Sequence, residues 1–276
     1  MIDGNVAEIR ARQVAALGYD SGTGYARVLR RLDSSLRVDI LTAADGAVLT
    51  AGIALDSYDG VTMTGSALNI YNGGVAVTRQ LDLAKAVFAA GVPFFGSCWG
   101  MQVAVTAAGG EVRANPRGRE FGFARRILLS DAGRQHALFA GKPVAFEAPT
   151  IHRDEIASLP AGALTLATND FGIQAASFDH GRGTFWGAQY HPEYDYIDIG
   201  AAAERYGQTL VTEGMFSDLA ALRAFAGELR ALQANPSDTT LLWKHGLGPA
   251  MRSEGLRLLE IGNWLQAKVL PRAADR

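Results

Sequence analysis

The sequence predicts an α/β fold built around a mainly parallel sheet, and three observations carry that expectation. Short apolar runs bounded by Gly and Asp alternate with longer helix-period segments through the first 110 residues, which is the rhythm of strand–helix–strand units. A chain of 276 residues, 48% of them hydrophobic, can bury a sizeable core. After Pro192 the character changes to Ala-, Leu-, Glu- and Arg-rich segments, which read as a helical extension.

The elements follow in order. Only Met1 and Ile2 precede the turn-prone "DGN", so either the first strand is very short or the chain begins later than related chains do. Leu36–Leu41, Asp59–Gly65 and Val92–Ser97 read as strands, and Gly24–Leu32 and Val75–Gly91 as helices, the second closed by Gly91 at a favoured C-cap position. From Glu111 to Gln189 the pattern is shorter and more β-like, with "ARRILLS", "PVAFEAPTIH", "ALTLAT", "IQAASF" and "GTFWGAQY" as candidate strands. Helices are expected near Asp218–Ala234 and Pro249–Val269, separated by "ANPSD". The division is residues 1–199 as one domain and 200–276 as an extension that packs on it or forms a homo-oligomer surface.

Composition narrows the function classes. A net charge of −2 gives no reason to expect a nucleic-acid or anionic-membrane partner. The single cysteine cannot form an internal disulfide, the N-terminal residues lack a signal-peptide pattern, and no apolar run suits a membrane helix, so the expected compartment is the cytoplasm. Neither a metal nor a cofactor is expected. His136, His152 and His180 lack ligand-type neighbours at metal spacing, and no phosphate-cradling glycine loop follows a strand.

That cysteine, Cys98, lies in Gly96-Ser-Cys98-Trp-Gly100, between a buried-type strand and the helix-like "WGMQVAVTAAGG". This is the cysteine form of a nucleophile elbow, a strand-to-helix turn whose central residue adopts strained geometry while flanking glycines avoid collision. A helix N-terminus also favours thiolate. On spacing alone, Cys98 is either a nucleophile or a small buried residue in a glycine-rich turn. An amide-cleaving thiolate needs a group to protonate the leaving nitrogen, a task suited to histidine. His191 ends the run "GTFWGAQY" and is followed by Pro192 and Glu193. At a strand end, residues i and i+2 point to the same side, so Glu193 can orient the imidazole.

"GSCWGMQ" followed later by "GAQYHPE" resembles the class I glutamine amidotransferases, whose triad is a Cys in G-x-C-x-G with a His and Glu in an HPE element. "TIHRDEIASLP" is similar to their H-x-D segment, and "DGVTMTGS" to the loop that completes their oxyanion hole. "RGREFGFARRI" and "ALFAGKPVAFEAPTIHRDE" also resemble stand-alone members related to the amidotransferase domain of guanosine monophosphate synthetase and to γ-glutamyl peptidases. The resemblance covers roughly residues 36–193. It implies a flavodoxin-like three-layer α/β/α sandwich with the site at the C-terminal strand ends. It implies a Cys98, His191 and Glu193 triad, an oxyanion hole from the backbone of Gly65, Ser66 and Trp99, and a substrate site at Gln102, Ile151, His152 and Arg153. The plainer readings are that Gln102 fills a helix face and that His152 and Asp154 only hold their loop together. Arg117, Arg119, Arg125 and Arg126 read as a solvated basic face or a receiver of an acidic substrate.

Three functions fit. The first, favoured because both motifs are nearest that branch, is a glutaminase-type amidotransferase that passes ammonia to a separate synthetase. The second is a free-standing hydrolase or peptidase of γ-glutamyl amines or peptides. The third is a non-catalytic regulatory homologue, disfavoured by the intact triad.

Overall fold

The structure, a computed structural model, describes residues 1–49 and 53–275; the last residue of the expected extension, 276, lies outside them. Two helices open the chain, α1 (Ala7–Leu17) and α2 (Ser21–Leu32), the latter capped by the Asp20 side chain on the Thr23 N–H. Strand β1 (Val61–Met63), helix α3 (Val75–Ala90), strand β2 (Phe94–Ser97) and helix α4 (Trp99–Ala107) complete the expected βαβ order. Gly91 closes α3 with φ 69°.

The Leu36–Leu41 expectation is corrected, because no ladder forms there. Ile2 bridges both Leu41 and Met63 in parallel, so the first strand is a single residue and leaves the 36–41 segment only one pairing partner. Helix α1 was not anticipated; its polar residues carry no strong apolar stripe, and Gln13 is its buried residue.

The β-rich middle comprises β3 (Glu111–Ala114), β4 (Glu120–Leu129), the short helix α5 (Asp131–Gln135), β5 (Ala145–His152), β6 (Asp154–Ser158), β7 (Leu164–Asn169), β8 (Gly172–His180) and β9 (Gly183–Ala188). Seven strands form one sheet in the order β1-β2-β9-β8-β7-β4-β5, while β3 and β6 pair separately. The pairs β1–β2 and β2–β9 are parallel and the remaining four are antiparallel. The alternation leaves only β8 and β4 running against the other five, so the C-terminal ends of β1, β2 and β9 lie side by side.

The C-terminal part contains α6 (Tyr196–Thr212), α7 (Leu219–Ala234), α8 (Thr239–His245), α9 (Pro249–Arg252), α10 (Glu254–Arg257), α11 (Leu259–Trp264), a π-helical turn (Leu265–Val269) and α12 (Leu270–Ala274). The boundary expected at residue 199 falls inside α6. The single helix expected over Pro249–Val269 is broken at Ser253, which is extended and spends its hydroxyl capping the Leu256 N–H.

Side chains alternate across the sheet and divide its core. Phe94 and Phe185 pack with Val87 and Phe88 of α3 and Met101 and Val105 of α4. Phe95 and Trp186 face the other way and meet Tyr25 and Leu29 of α2 together with Ile261, Trp264 and Val269. The final helices therefore build much of the third layer. Burying Trp264 and Ile261 contributes about 2 to 3 kcal/mol each. Below them Glu260 and Lys142 form an enclosed ion pair at 2.9 Å, and Glu260 also accepts the Tyr190 hydroxyl. Among the described residues no helix is long and apolar enough to cross a membrane.

Candidate functional site

Three strand ends deliver the site. Where β2 stops, Cys98 takes φ 53° and ψ −106°, a positive φ that a non-glycine residue adopts only when its surroundings force it. The surroundings are tight. A Cβ on Gly96 would lie 2.4 Å from the Gly100 carbonyl carbon, and one on Gly100 would lie 2.4 Å from the Met63 oxygen. The Cys98 N–H donates to the Ala188 oxygen of β9 at 2.7 Å, tying the elbow to the strand that leads to His191. Its thiol points at the Ile151 oxygen, 3.7 Å away.

After β9, the His191 Nδ1–H donates to Glu193 Oε1 at 2.7 Å, which turns Nε2 toward the sulfur. Both side chains are buried, and the imidazole is stacked on the Tyr194 ring at 4.1 Å with the planes 5° apart. Burial alone pushes the imidazole pKa down, but the Glu193 charge, a hydrogen bond to Cys98 and the charge of its thiolate raise it to about 10. The arrangement favours an imidazolium between a carboxylate and a sulfur, which is the protonation state needed to protonate a leaving nitrogen.

The turn after β1 supplies the third edge. A Cβ on Gly65 would lie 2.4 Å from His191 Cε1, so only glycine lets the imidazole sit where it does. The Gly65 carbonyl accepts from Asn5 Nδ2 at 3.1 Å and from the Thr64 hydroxyl at 2.9 Å, while Asn5 Oδ1 accepts the Ala67 N–H at 3.3 Å. Asn5 is itself fixed by buried Asp3. In a trans peptide the N–H opposes the carbonyl, so these bonds aim the Ser66 N–H away from Asn5. The Trp99 N–H, first in α4, has no partner within its helix. The Trp99 indole is buried and donates to Gln80.

A cavity of about 130 Å³ opens beside Cys98 and is lined in part by Ser66, Asn69, Gln102, Ile151, Arg153 and Tyr206. Gln102 is held by Gln189, to whose Oε1 its Nε2 donates at 3.3 Å. His152 touches the cavity, but its ring nitrogens are taken by the Asp154 carbonyl and the Glu120 carboxylate. Asp154 accepts from Asn69 Nδ2 and the Tyr71 hydroxyl, so its carboxylate braces the 69–71 loop.

The basic cluster divides: Arg119 joins the cavity wall, Arg125 donates to the His245 carbonyl, and Arg126 pairs with Asp170. Asn5, Tyr194, Gln189 and Tyr206 were not foreseen; the "DGN" after Ile2 was the one visible signal, since polar residues directly after so short a strand land at its C-terminal end. Among the described residues no group of three or more His, Cys, Asp or Glu is placed to hold a metal ion.

Residues 19–202 match the family model described as glutamine amidotransferase class-I. Over 275 residues the chain is 35% identical to the γ-glutamyl-L-1-hydroxyisopropylamide hydrolase of a Pseudomonas species, covering 98% of this chain and 92% of that protein. It is 36% identical over 142 residues to the glutamine-hydrolysing GMP synthase of Escherichia coli, a match that takes in 48% of this chain and only 26% of the synthase. A solved glutamine amidotransferase from Thermotoga maritima has a similar fold, with a TM-score of 0.63 and 18% identity over 97% of both chains.

Proposed function

This chain belongs to the class-I glutamine amidotransferase family, and from that premise we propose that it is a free-standing hydrolase of γ-glutamyl amides that works through a Cys98–His191–Glu193 triad. The observation that carries the reading is the elbow itself, with Cys98 at positive φ beside an imidazolium-favouring His191 that is oriented by Glu193.

The chemistry follows from these positions. The Cys98 thiolate attacks the γ-carbonyl, and the electron pair moves to oxygen as a tetrahedral oxyanion forms. The N–H groups of Trp99 and of the Gly65–Ser66 turn stabilise it, each donor contributing about 3 to 4 kcal/mol in comparable sites. His191 Nε2–H protonates the departing nitrogen, and the C–N bond breaks to leave a γ-glutamyl thioester on Cys98. His191, now neutral, takes a proton from water, whose oxygen attacks the thioester and releases glutamate. Glu193 keeps the imidazole in one tautomer throughout. Gln102 and the backbone at Ile151 border the bound glutamyl chain.

The likeness to a γ-glutamyl amide hydrolase, which spans 98% of this chain and 92% of that protein, favours hydrolysis over ammonia supply, because the likeness to the synthase takes in only 48% of this chain and 26% of the synthase. The test is turnover of L-glutamine beside a panel of L-γ-glutamyl alkylamides, with amine, ammonia and glutamate all measured. A hydrolase cleaves the alkylamides unaided and at a higher kcat/KM than glutamine. Glutamine turnover that rises only when a synthetase is added, with alkylamides inert, supports the ammonia-supplying alternative instead.

A further inference from the structure

A second cavity, of about 120 Å³, is lined by Glu193 and shares none of its lining residues with the cavity at Cys98, so the triad stands between the two. Ser21, Gly24, Tyr25 and Val28 give it one face of α2, at the three- and four-residue spacing of a helix surface. The start of α6 and the end of α10 supply other walls. Most of its charged groups are already committed. Asp20 caps α2, Asp195 caps α6, Asp198 accepts the Tyr19 hydroxyl and the Asp195 N–H, and Arg31 pairs with Glu254.

Two groups of opposite charge are not. Glu193 is 6% exposed and gives Oε1 to His191, but its Oε2 is buried without a hydrogen-bond partner. Arg257 is 9% exposed, and its Nε is likewise buried and unpartnered. Its one ion pair among the described residues, with Glu254, is stretched to 3.9 Å and shared with Arg31. Buried polar atoms are costly to leave unsatisfied, and these two line one cavity. A carboxylate oxygen calls for an ammonium, and a planar guanidinium fork calls for a carboxylate. The wall from Leu17, Tyr19, Tyr25, Val28 and Tyr194 is largely apolar or aromatic and suits an apolar side chain. The cavity is close in size to the one of about 130 Å³ at Cys98, which on the proposed reaction receives one glutamyl group, so its occupant is of amino-acid size.

We propose that the cavity between α2, α6 and α10 is a regulatory site for a small amino acid with an apolar side chain, whose ammonium binds Glu193 Oε2 and whose carboxylate binds Arg257. The ligand does not occupy the reaction path. It shares the carboxylate whose charge favours the imidazolium form of His191, so its binding depletes the proton donor and lowers kcat while substrate enters the Cys98 cavity as before. The effect on turnover rests on the triad reading; the binding does not.

The test uses L-valine and L-leucine as probes, with isobutylamine and 3-methylbutanoate as the analogues of L-valine that lack one charged group each. Calorimetry on the full chain shows L-valine binding roughly tenfold or more tighter than either analogue, the value of a charged hydrogen bond. Arg257→Ala binds L-valine no better than isobutylamine, and Arg257→Lys restores part of the difference. In assays with an L-γ-glutamyl alkylamide, saturating L-valine lowers wild-type kcat roughly tenfold with KM unchanged, a smaller loss than removal of Glu193 brings. The proposal is overturned if neither amino acid gives binding heat, which leaves water alone in the cavity, or if folded Arg257→Ala binds L-valine as the wild type does. It is overturned equally by inhibition that raises KM with kcat unchanged, which places the amino acid in the Cys98 cavity. A wild type that cleaves no γ-glutamyl amide defeats the reaction reading alone, and the calorimetry then still decides the site.

Discussion

The reaction centre and the mouth of the cavity are built in contrasting ways. Cys98, His191 and Gly65 sit just beyond three neighbouring parallel strands, β2, β9 and β1, and each is locked by contacts within a few residues of a strand end. The mouth draws Arg119, Arg153, Tyr206 and Glu213 from the antiparallel half of the sheet and from a kinked helix, and it is held by ion pairs at a partly exposed surface. On the proposed reaction the strand ends would hold the reacting atoms, whereas the mouth depends on side-chain charge. Changes in the first region should therefore act on kcat and changes in the second on KM.

The largest separation is expected from His191→Ala, which removes the proton donor and lowers kcat on the order of ten-thousandfold or more, while calorimetry finds L-glutamate affinity near the wild-type value. Glu193→Gln is expected to cost about a hundred- to ten-thousandfold in kcat. It also removes the charge that opposes the burial penalty on His191, so its pKa falls and the alkaline limb of the kcat/KM profile moves to lower pH. The sign for stability is the same. The folded imidazolium is favoured, so its contribution is complete below the ordinary pKa of 6.5 and is lost as pH rises through about 10, a loss that Glu193→Gln should reduce in melts across that range.

Asn5→Ala tests whether the oxyanion turn belongs to the rigid region. Without the two bonds that bracket Ser66, kcat should fall roughly tenfold to a hundredfold with KM little altered, and Asn5→Asp should recover less than half of the loss in free energy because it cannot donate to Gly65. The smallest effect on turnover belongs to Glu260→Ala, under the third layer. It leaves Lys142 buried without its partner and should lower unfolding free energy by about 3 to 5 kcal/mol in urea titrations, while kcat per folded molecule stays unchanged.

The same contrast sets what could be read from the sequence. The elbow was legible because its requirements are local: two glycines, a central cysteine, and a His and Glu two apart at a strand end. The strand-helix rhythm before residue 110 predicts α3, β2 and α4 to within three residues for the same reason. Leu36–Leu41 misled because an apolar run forms a strand only if a neighbour of equal length is present, and Ile2 supplies a single residue. The antiparallel half was legible as strands but not as pairings, since order in a sheet depends on long-range packing. Nothing in the sequence near Tyr206 or Glu213 marks them as neighbours of Arg119, 87 and 94 positions earlier; that meeting depends on the bend at Gly207.

The central claim, that Cys98 carries the glutamyl group, is tested most directly by intact-protein mass spectrometry after rapid acid quench during turnover of an L-γ-glutamyl alkylamide. The wild type should show a mass increase equal to one glutamyl group, mapped by peptide analysis to Cys98 and cleaved by hydroxylamine as a thioester is, with no adduct on Cys98→Ala. Turnover at the wild-type rate by Cys98→Ala, or a glutamyl adduct on any residue other than Cys98, would contradict it.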